Sequence, residues 1–158
     1  MPNWNCNTLK VSDASSELIE YLKAEGLSFA KIAPVRHHDG ADLCTLQAVA
    51  WGTKWDLSEE NQREVADQLI EVGIASFDTA WSPPIYAIKK LSARFPDDEF
   101  TLSYYEGGCG FWGIANFSAG DVDDECEEGT LEEASLFLQQ EMGYNKEEAD
   151  EYVGLTEI

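Results

Sequence analysis

The chain has 158 residues and a formal charge of −21, because 31 acidic side chains face only 10 basic ones. A chain of this length with 44% hydrophobic residues can bury a core of its own, so it requires neither a disulfide nor a metal for folding. Direct binding to nucleic acids or to anionic membranes depends on Lys and Arg, and this charge excludes both.

The first third of the chain alternates short strands and helices. Residues 4–11 are typical of a strand, and Asp13 is placed to cap a helix over 13–25. Residues 27–40 resemble a short extended piece with a loop, and the apolar run at 43–51 fits a helix or a strand equally well.

The middle of the chain carries clearer patterns. Apolar residues recur at helical spacing over 59–72, although a strand at its centre stays open, and 73–81 has the β-branched and aromatic residues of a strand. Ser82 is placed to cap the next helix, which continues through 85–95 after two prolines.

Two further strands are predicted at 99–106 and 111–118, joined as a hairpin by Gly107 and Gly108. The resulting order of strands and helices fits an α+β fold of ferredoxin-like type, in which an antiparallel sheet carries helices on one face.

The acidic residues are concentrated at the C-terminal end. Residues 1–120 hold 17 acids and 9 bases, whereas residues 121–158 hold 14 acids and Lys146 alone. This change in composition predicts a domain at 1–118 followed by an acidic helical extension at 119–158.

The extension has the signals of two capped helices. Thr130 with Glu133, and Asn145 with Glu148, have the spacing of capping boxes, and Gly143 suits the end of the first helix. The predicted helical hairpin packs its apolar stripe either on the domain or on a second subunit. In the second case the protein would be a homo-oligomer.

Four segments carry a family resemblance: MPNW at 1–4, WGTKWD at 51–56, FDTAWSPP at 77–84 and YYEGGCGFWG at 104–113. Together they resemble the Api92-like proteins of bacterial plasmids, prophages and phages, over roughly residues 1–118. The resemblance implies a ferredoxin-like domain and a mobile genetic element as the origin.

The acids of the extension are the first candidate site. Carboxylates held on ordered elements can imitate the phosphates of DNA, and they would bind a basic surface on a host protein. The predicted partner-binding residues are Asp121, Asp123, Asp124, Glu125, Glu127, Glu128, Glu132 and Glu133.

Calcium is an alternative ligand for the same segment. Asp121, Asp123, Glu125 and Glu132 have the spacing of an EF-hand loop, but Cys126 stands where that loop requires glycine. A solvated acidic linker is the preferred interpretation, and no metal or cofactor is predicted.

Catalytic chemistry has little support in the sequence. Cys109 or Cys44 could serve as a nucleophile with His37 or His38 as the base, but a glycine-rich turn and a surface loop explain these positions as well. A metal site that adds Asp39 and Asp42 to the histidines lacks a recognised spacing. We therefore predict that the protein is not an enzyme.

Tryptophans form the second candidate site. They either bury against one another in the core or line a groove for a small ligand or peptide, and Lys54 would pair with a nearby aspartate. The groove residues are Trp51, Lys54, Trp55, Asp56 and Trp81.

The resemblance thus implies a protein of a mobile element. We expect it to act in the bacterial cytoplasm, because the N-terminus lacks the features of a signal peptide and the four cysteines have no paired spacing. It would bind and inhibit a nucleic-acid-binding defence complex of the host, of the CRISPR or restriction type. The alternative is a ligand- or peptide-binding module that uses the tryptophan groove.

Overall fold

The structure, a computed structural model, describes residues 2–36 and 40–155. Its elements in chain order are β1 (Trp4–Val11), α1 (Ser16–Glu25), α2 (Phe29–Ile32), α3 (Leu43–Trp51), α4 (Glu59–Val72), β2 (Ile74–Ala80), α5 (Ile85–Arg94), β3 (Glu99–Glu106), β4 (Phe111–Ser118), β5 (Asp121–Glu128), α6 (Leu131–Glu141) and α7 (Lys146–Val153).

All five strands form one antiparallel sheet in the order β2-β1-β3-β4-β5. The first strand of the chain lies inside the sheet, where Leu9 is opposite both Ala75 and Leu102. The last strand, β5, lies at one edge and pairs with β4 along its whole length.

The larger core lies between one face of the sheet and the helices that precede β3. Side chains alternate between the two faces of a strand, so Leu9, Leu102 and Phe117 point to the same side. Leu22 of α1 and Leu69 of α4 join the same fully buried cluster. This arrangement confirms the predicted α+β fold of ferredoxin-like type.

A second, smaller core lies on the opposite face of the sheet. Cys6, Tyr105 and Trp112 point to this side and pack with Leu138 of α6 and Ala149 of α7. The helical hairpin of the extension therefore docks on the domain, and both of its predicted capping boxes are present.

Several local predictions were wrong. Residues 29–32 form the short helix α2 where an extended piece was expected. The run at 43–51, which fitted a helix or a strand, is the helix α3. Ser15 caps α1 in place of Asp13, because the carboxylate of the buried Asp98 accepts hydrogen bonds from the Ser15 backbone and hydroxyl. The Ser82 hydroxyl donates to the Gly52 carbonyl and does not cap α5.

The largest departure concerns the acidic segment. Residues 121–128 were expected to form a solvated linker before two helices, and they form strand β5 instead. The predicted boundary between 118 and 119 lies in the tight connection between β4 and β5, which belong to the same sheet.

Within residues 2–36 and 40–155, no helix has the length and apolar character needed to cross a membrane.

Candidate partner-binding surface

Strand β5 presents most of the predicted binding carboxylates on an ordered backbone. Six of the eight predicted partner-binding acids lie on it, and all six are exposed. Because side chains alternate along a strand, Asp124 lies on the face of the larger core and four acids lie on the face of α6, while Glu128 ends the strand. Those four are Asp121, Asp123, Glu125 and Glu127.

A tyrosine fastens this strand to the sheet. The Tyr104 ring of β3 lies across Gly113 of β4, and its hydroxyl donates to Asp124 Oδ1 over 2.7 Å. A β-carbon on Gly113 would lie 2.7 Å from Tyr104 Cζ, so only glycine admits this crossing. Burial and the bond to Asp124 raise the pKa of the Tyr104 hydroxyl, which keeps it protonated as the donor.

A groove of about 620 Å³ runs between β5 and α6, and we call it the acidic groove. Apolar side chains form part of its lining, namely Trp112, Ile114, Leu136 and Phe137. Carboxylates lie along the same groove, namely Glu125, Glu127, Glu128, Glu133 and Glu141. The groove could not be located from the sequence, because only the folded sheet brings β4 and α6 together.

The other two predicted acids, Glu132 and Glu133, lie in the first turn of α6. Thr130 and Glu133 form the capping box, in which the Glu133 carboxylate accepts from the Thr130 backbone over 2.8 Å. Glu132 is exposed in the same turn. The helix start therefore has a fixed position, and it holds Glu133 at the wall of the acidic groove.

Basic side chains do not neutralise these acids. In the parts of the chain that the structure describes, none of the eight predicted partner-binding acids forms an ion pair with Lys or Arg. The extension's one lysine, Lys146, pairs with Asp150 of α7 instead. Within the described residues, the surface around β5 is therefore a row of carboxylates without a basic partner.

Two of the predicted groove residues have structural roles. Trp51 is 2% exposed and donates through Nε1 to the Ala33 carbonyl over 2.7 Å. The Asp56 carboxylate accepts from the backbone amides of Phe29 and Ala30 and so caps the start of α2. The core interpretation therefore holds for Trp51 alone among the three tryptophans.

The other tryptophans form an exposed patch at one end of the sheet. Trp4, Trp55 and Trp81 are 50%, 44% and 40% exposed, and the rings of Trp4 and Trp55 are 6.4 Å apart. Lys54 Nζ lies 5.5 Å from the Trp81 ring centroid, so it faces an aromatic ring where the sequence analysis expected an aspartate. We call these four residues the tryptophan patch.

The cysteines do not assemble a nucleophilic site in the described residues. Cys109 lies in the exposed turn after β3, where its hydrogen bond to the Glu106 carboxylate raises the pKa of the thiol. Burial raises the pKa of the Cys6 thiol to about 11. Cys44 is partly buried, and His37, His38 and Asp39 lie outside the described residues.

No cluster of three or more His, Cys, Asp or Glu side chains suited to a metal occurs in 2–36 and 40–155. The four residues of the proposed calcium loop instead lie on β5 and at the start of α6. A strand directs successive side chains to opposite faces, and so it does not wrap them around one ion.

Comparison with known proteins identifies a family. A family model described as "Ferredoxin-like domain in Api92-like protein" matches residues 50–154. The match runs through β5, α6 and α7, so it includes the acidic elements that the sequence analysis placed outside the resemblance. None of the curated proteins or solved structures compared with the chain matches it.

Proposed function

Because the chain belongs to the family with a ferredoxin-like domain in Api92-like proteins, and that family defines a fold and not a reaction, we propose that it acts by binding a basic protein surface. The observation that carries this proposal is the row of unneutralised carboxylates on β5. In this proposal the protein is not an enzyme and requires no cofactor.

The spacing of the carboxylates supports a partner that normally binds nucleic acid. An antiparallel strand advances about 3.4 Å per residue, which is also the axial spacing of phosphates along one strand of DNA. Side chains alternate between the two faces, so the four acids on the face of α6 recur about every 6.8 Å, near the axial spacing of every second phosphate. Docked in a nucleic-acid channel, β5 would occupy the places of several phosphates.

The resemblance to plasmid and phage proteins supports a more specific target. A mobile element gains from blocking host nucleases, and the channel of a CRISPR effector or restriction enzyme is lined with Lys and Arg. We therefore propose that the protein inhibits such a defence complex in the bacterial cytoplasm. Electrostatic complementarity of this kind mainly accelerates association, and salt weakens it.

Reversing the charge of β5 tests the proposal. The triple variant Glu125→Lys, Glu127→Lys and Glu128→Lys is expected to bind the captured complex on the order of 100-fold more weakly. The measurement is capture from a bacterial lysate at low and high salt, with DNA as competitor, followed by the affinity of the purified pair. All three positions are exposed, so the fold should persist.

A matched variant separates the site from total charge. The control is a triple variant on helices α1 and α4, which pack in the larger core: Glu20→Lys, Glu64→Lys and Glu71→Lys. It changes the net charge by the same amount, and it should bind the complex about as tightly as the original protein does. An equal loss of binding in both variants would show that net charge, and not the β5 surface, causes the effect. Undiminished binding of the β5 variant would refute the assignment of the surface.

A second candidate function has its own observation, the exposure of the tryptophan patch. Trp is enriched at binding hot spots, and three partly exposed rings beside Lys54 suit a planar or anionic small ligand or a peptide. A thermal-shift screen of metabolites tests it. A true ligand should raise the Tm of the original protein and of the β5 variant, but not of Trp55→Ala or Trp81→Ala.

Val72→Ala is the control for that screen, because Val72 is another exposed apolar side chain, 71% accessible, and it precedes the start of β2 whereas Trp81 follows its end. A ligand that still stabilises both tryptophan variants would place its site elsewhere and remove this candidate.

A further inference from the structure

In residues 2–36 and 40–155, no strand pairs with the outer edge of β5, which lies beside the acidic groove. Resting on the proposed function, we infer that the partner contributes an extended, lysine- or arginine-rich segment that adds to β5 as a sixth strand. Its side chains on one face would then lie over the acidic groove.

The free edge is the first support for strand addition. In an antiparallel pair, alternate residues of an edge strand direct their N–H and C=O groups away from the neighbouring strand. Across the described chain, no backbone group of β5 bonds to anything other than β4. An added strand would pair these groups, which is a common mode of peptide recognition.

The charge of β5 determines which segment can use this edge. A second copy of the chain would bring β5 against β5, and the repulsion between their carboxylates opposes that pairing. A neutral segment would leave six carboxylates beside it uncompensated. A cationic segment matches both the hydrogen-bonding groups and the charge.

The acidic groove explains why the cations would be lysine and arginine. Their long aliphatic stems can cover apolar surface while the charged head stays at a polar rim. Leu136 and Phe137 provide such a surface, and Glu133 and Glu141 lie in the same groove to receive the heads. Carboxylate–guanidinium and carboxylate–ammonium hydrogen bonds are about twice as strong as neutral ones.

Capped peptides of alternating lysine and valine, about eight residues long, test the inference with the full protein. Binding is measured by calorimetry, and protection of the β5 amides by hydrogen exchange. N-methylation of the valines removes the donors on one edge of the peptide, and N-methylation of the lysines removes those on the other. The two methylated peptides carry the same charge.

We expect the unmodified peptide to bind and to protect β5, and one methylated peptide to bind at least about tenfold more weakly than the other. Leu136→Ser should weaken binding, whereas Leu131→Ser should not, because both leucines are exposed on α6 and only Leu136 lines the groove. A peptide of alternating glutamate and valine should not bind.

Equal binding by both methylated peptides would overturn strand addition and leave the charge-based proposal intact. Absence of peptide binding, while the intact protein still captures a DNA-competed complex, would overturn strand addition alone. Absence of both would overturn the inference together with the function on which it rests.

Discussion

Gly113→Ala is expected to lower the free energy of unfolding by about 3 kcal/mol, the upper end of the usual range for overpacking a core. The added carbon would lie 2.7 Å from Tyr104 Cζ and closer still to the Tyr104 hydroxyl and the Glu125 carbonyl oxygen. Tyr104 is 1% exposed, so a shift of its ring would have to displace the buried groups around it. Chemical denaturation of both proteins measures the difference.

A double-mutant cycle identifies the cause of that loss. In a Tyr104→Ala background the ring is absent, so adding Gly113→Ala should cost clearly less, with a coupling energy on the order of 1–2 kcal/mol. Additive costs would show that the contact with the Glu125 backbone, and not Tyr104, makes glycine necessary. The single variant should also weaken partner binding, because Tyr104 would lose its hold on Asp124.

Local signals made most of the fold predictable from the sequence. The capping boxes of α6 and α7 are formed by neighbouring residues, and the β3–β4 hairpin combines alternation with a glycine turn. Such patterns are largely independent of distant contacts, so they survive in the folded protein. The cap of α1 could not be predicted in the same way, because Ser15 is fixed by Asp98, which is 83 residues away.

Strand β5 was missed for a physical reason. Asp and Glu are depleted in strands, and nothing in 121–128 alternates between apolar and polar residues. The strand exists because β4 supplies a pairing edge and Tyr104 reaches Asp124 across the sheet. Gly113 inside a predicted strand was the one sequence signal of this crossing, since such a glycine often marks a close approach.

The tryptophans show the limit of motif recognition. The segment at 51–56 holds one buried tryptophan, Trp51, and one exposed tryptophan, Trp55, and the motif does not distinguish them. Their difference arises from position, because Trp51 ends helix α3 over the core whereas Trp55 lies in the following loop beside Trp4. The sequence therefore identified the tryptophans as a candidate site, but it did not show which of them are buried and which are exposed.

Trp112→Ala is expected to cost about 3–5 kcal/mol, as is usual when a buried Trp or Phe is truncated. Trp112 is 4% exposed, belongs to the smaller core and packs against Phe137 of α6. Because this core packs the hairpin of α6 and α7 on the sheet, hydrogen exchange should rise mainly in those two helices. Phe117→Ala is the matched control, since Phe117 lies on the same strand but packs in the larger core.

The contrast between the two variants bears on function. Phe117→Ala should lower protection in the helices of the larger core, whereas Trp112→Ala should release α6 and leave β5 paired with β4. The carboxylates of β5 would remain, but the apolar lining of the acidic groove would lose Trp112 and the fixed position of Leu136. Partner binding should then stay salt-dependent and become weaker, because the surface must be ordered during binding. A uniform loss of hydrogen-exchange protection in both variants would instead mean that the two cores unfold as one unit. The acidic groove would then not unfold separately from the rest of the domain.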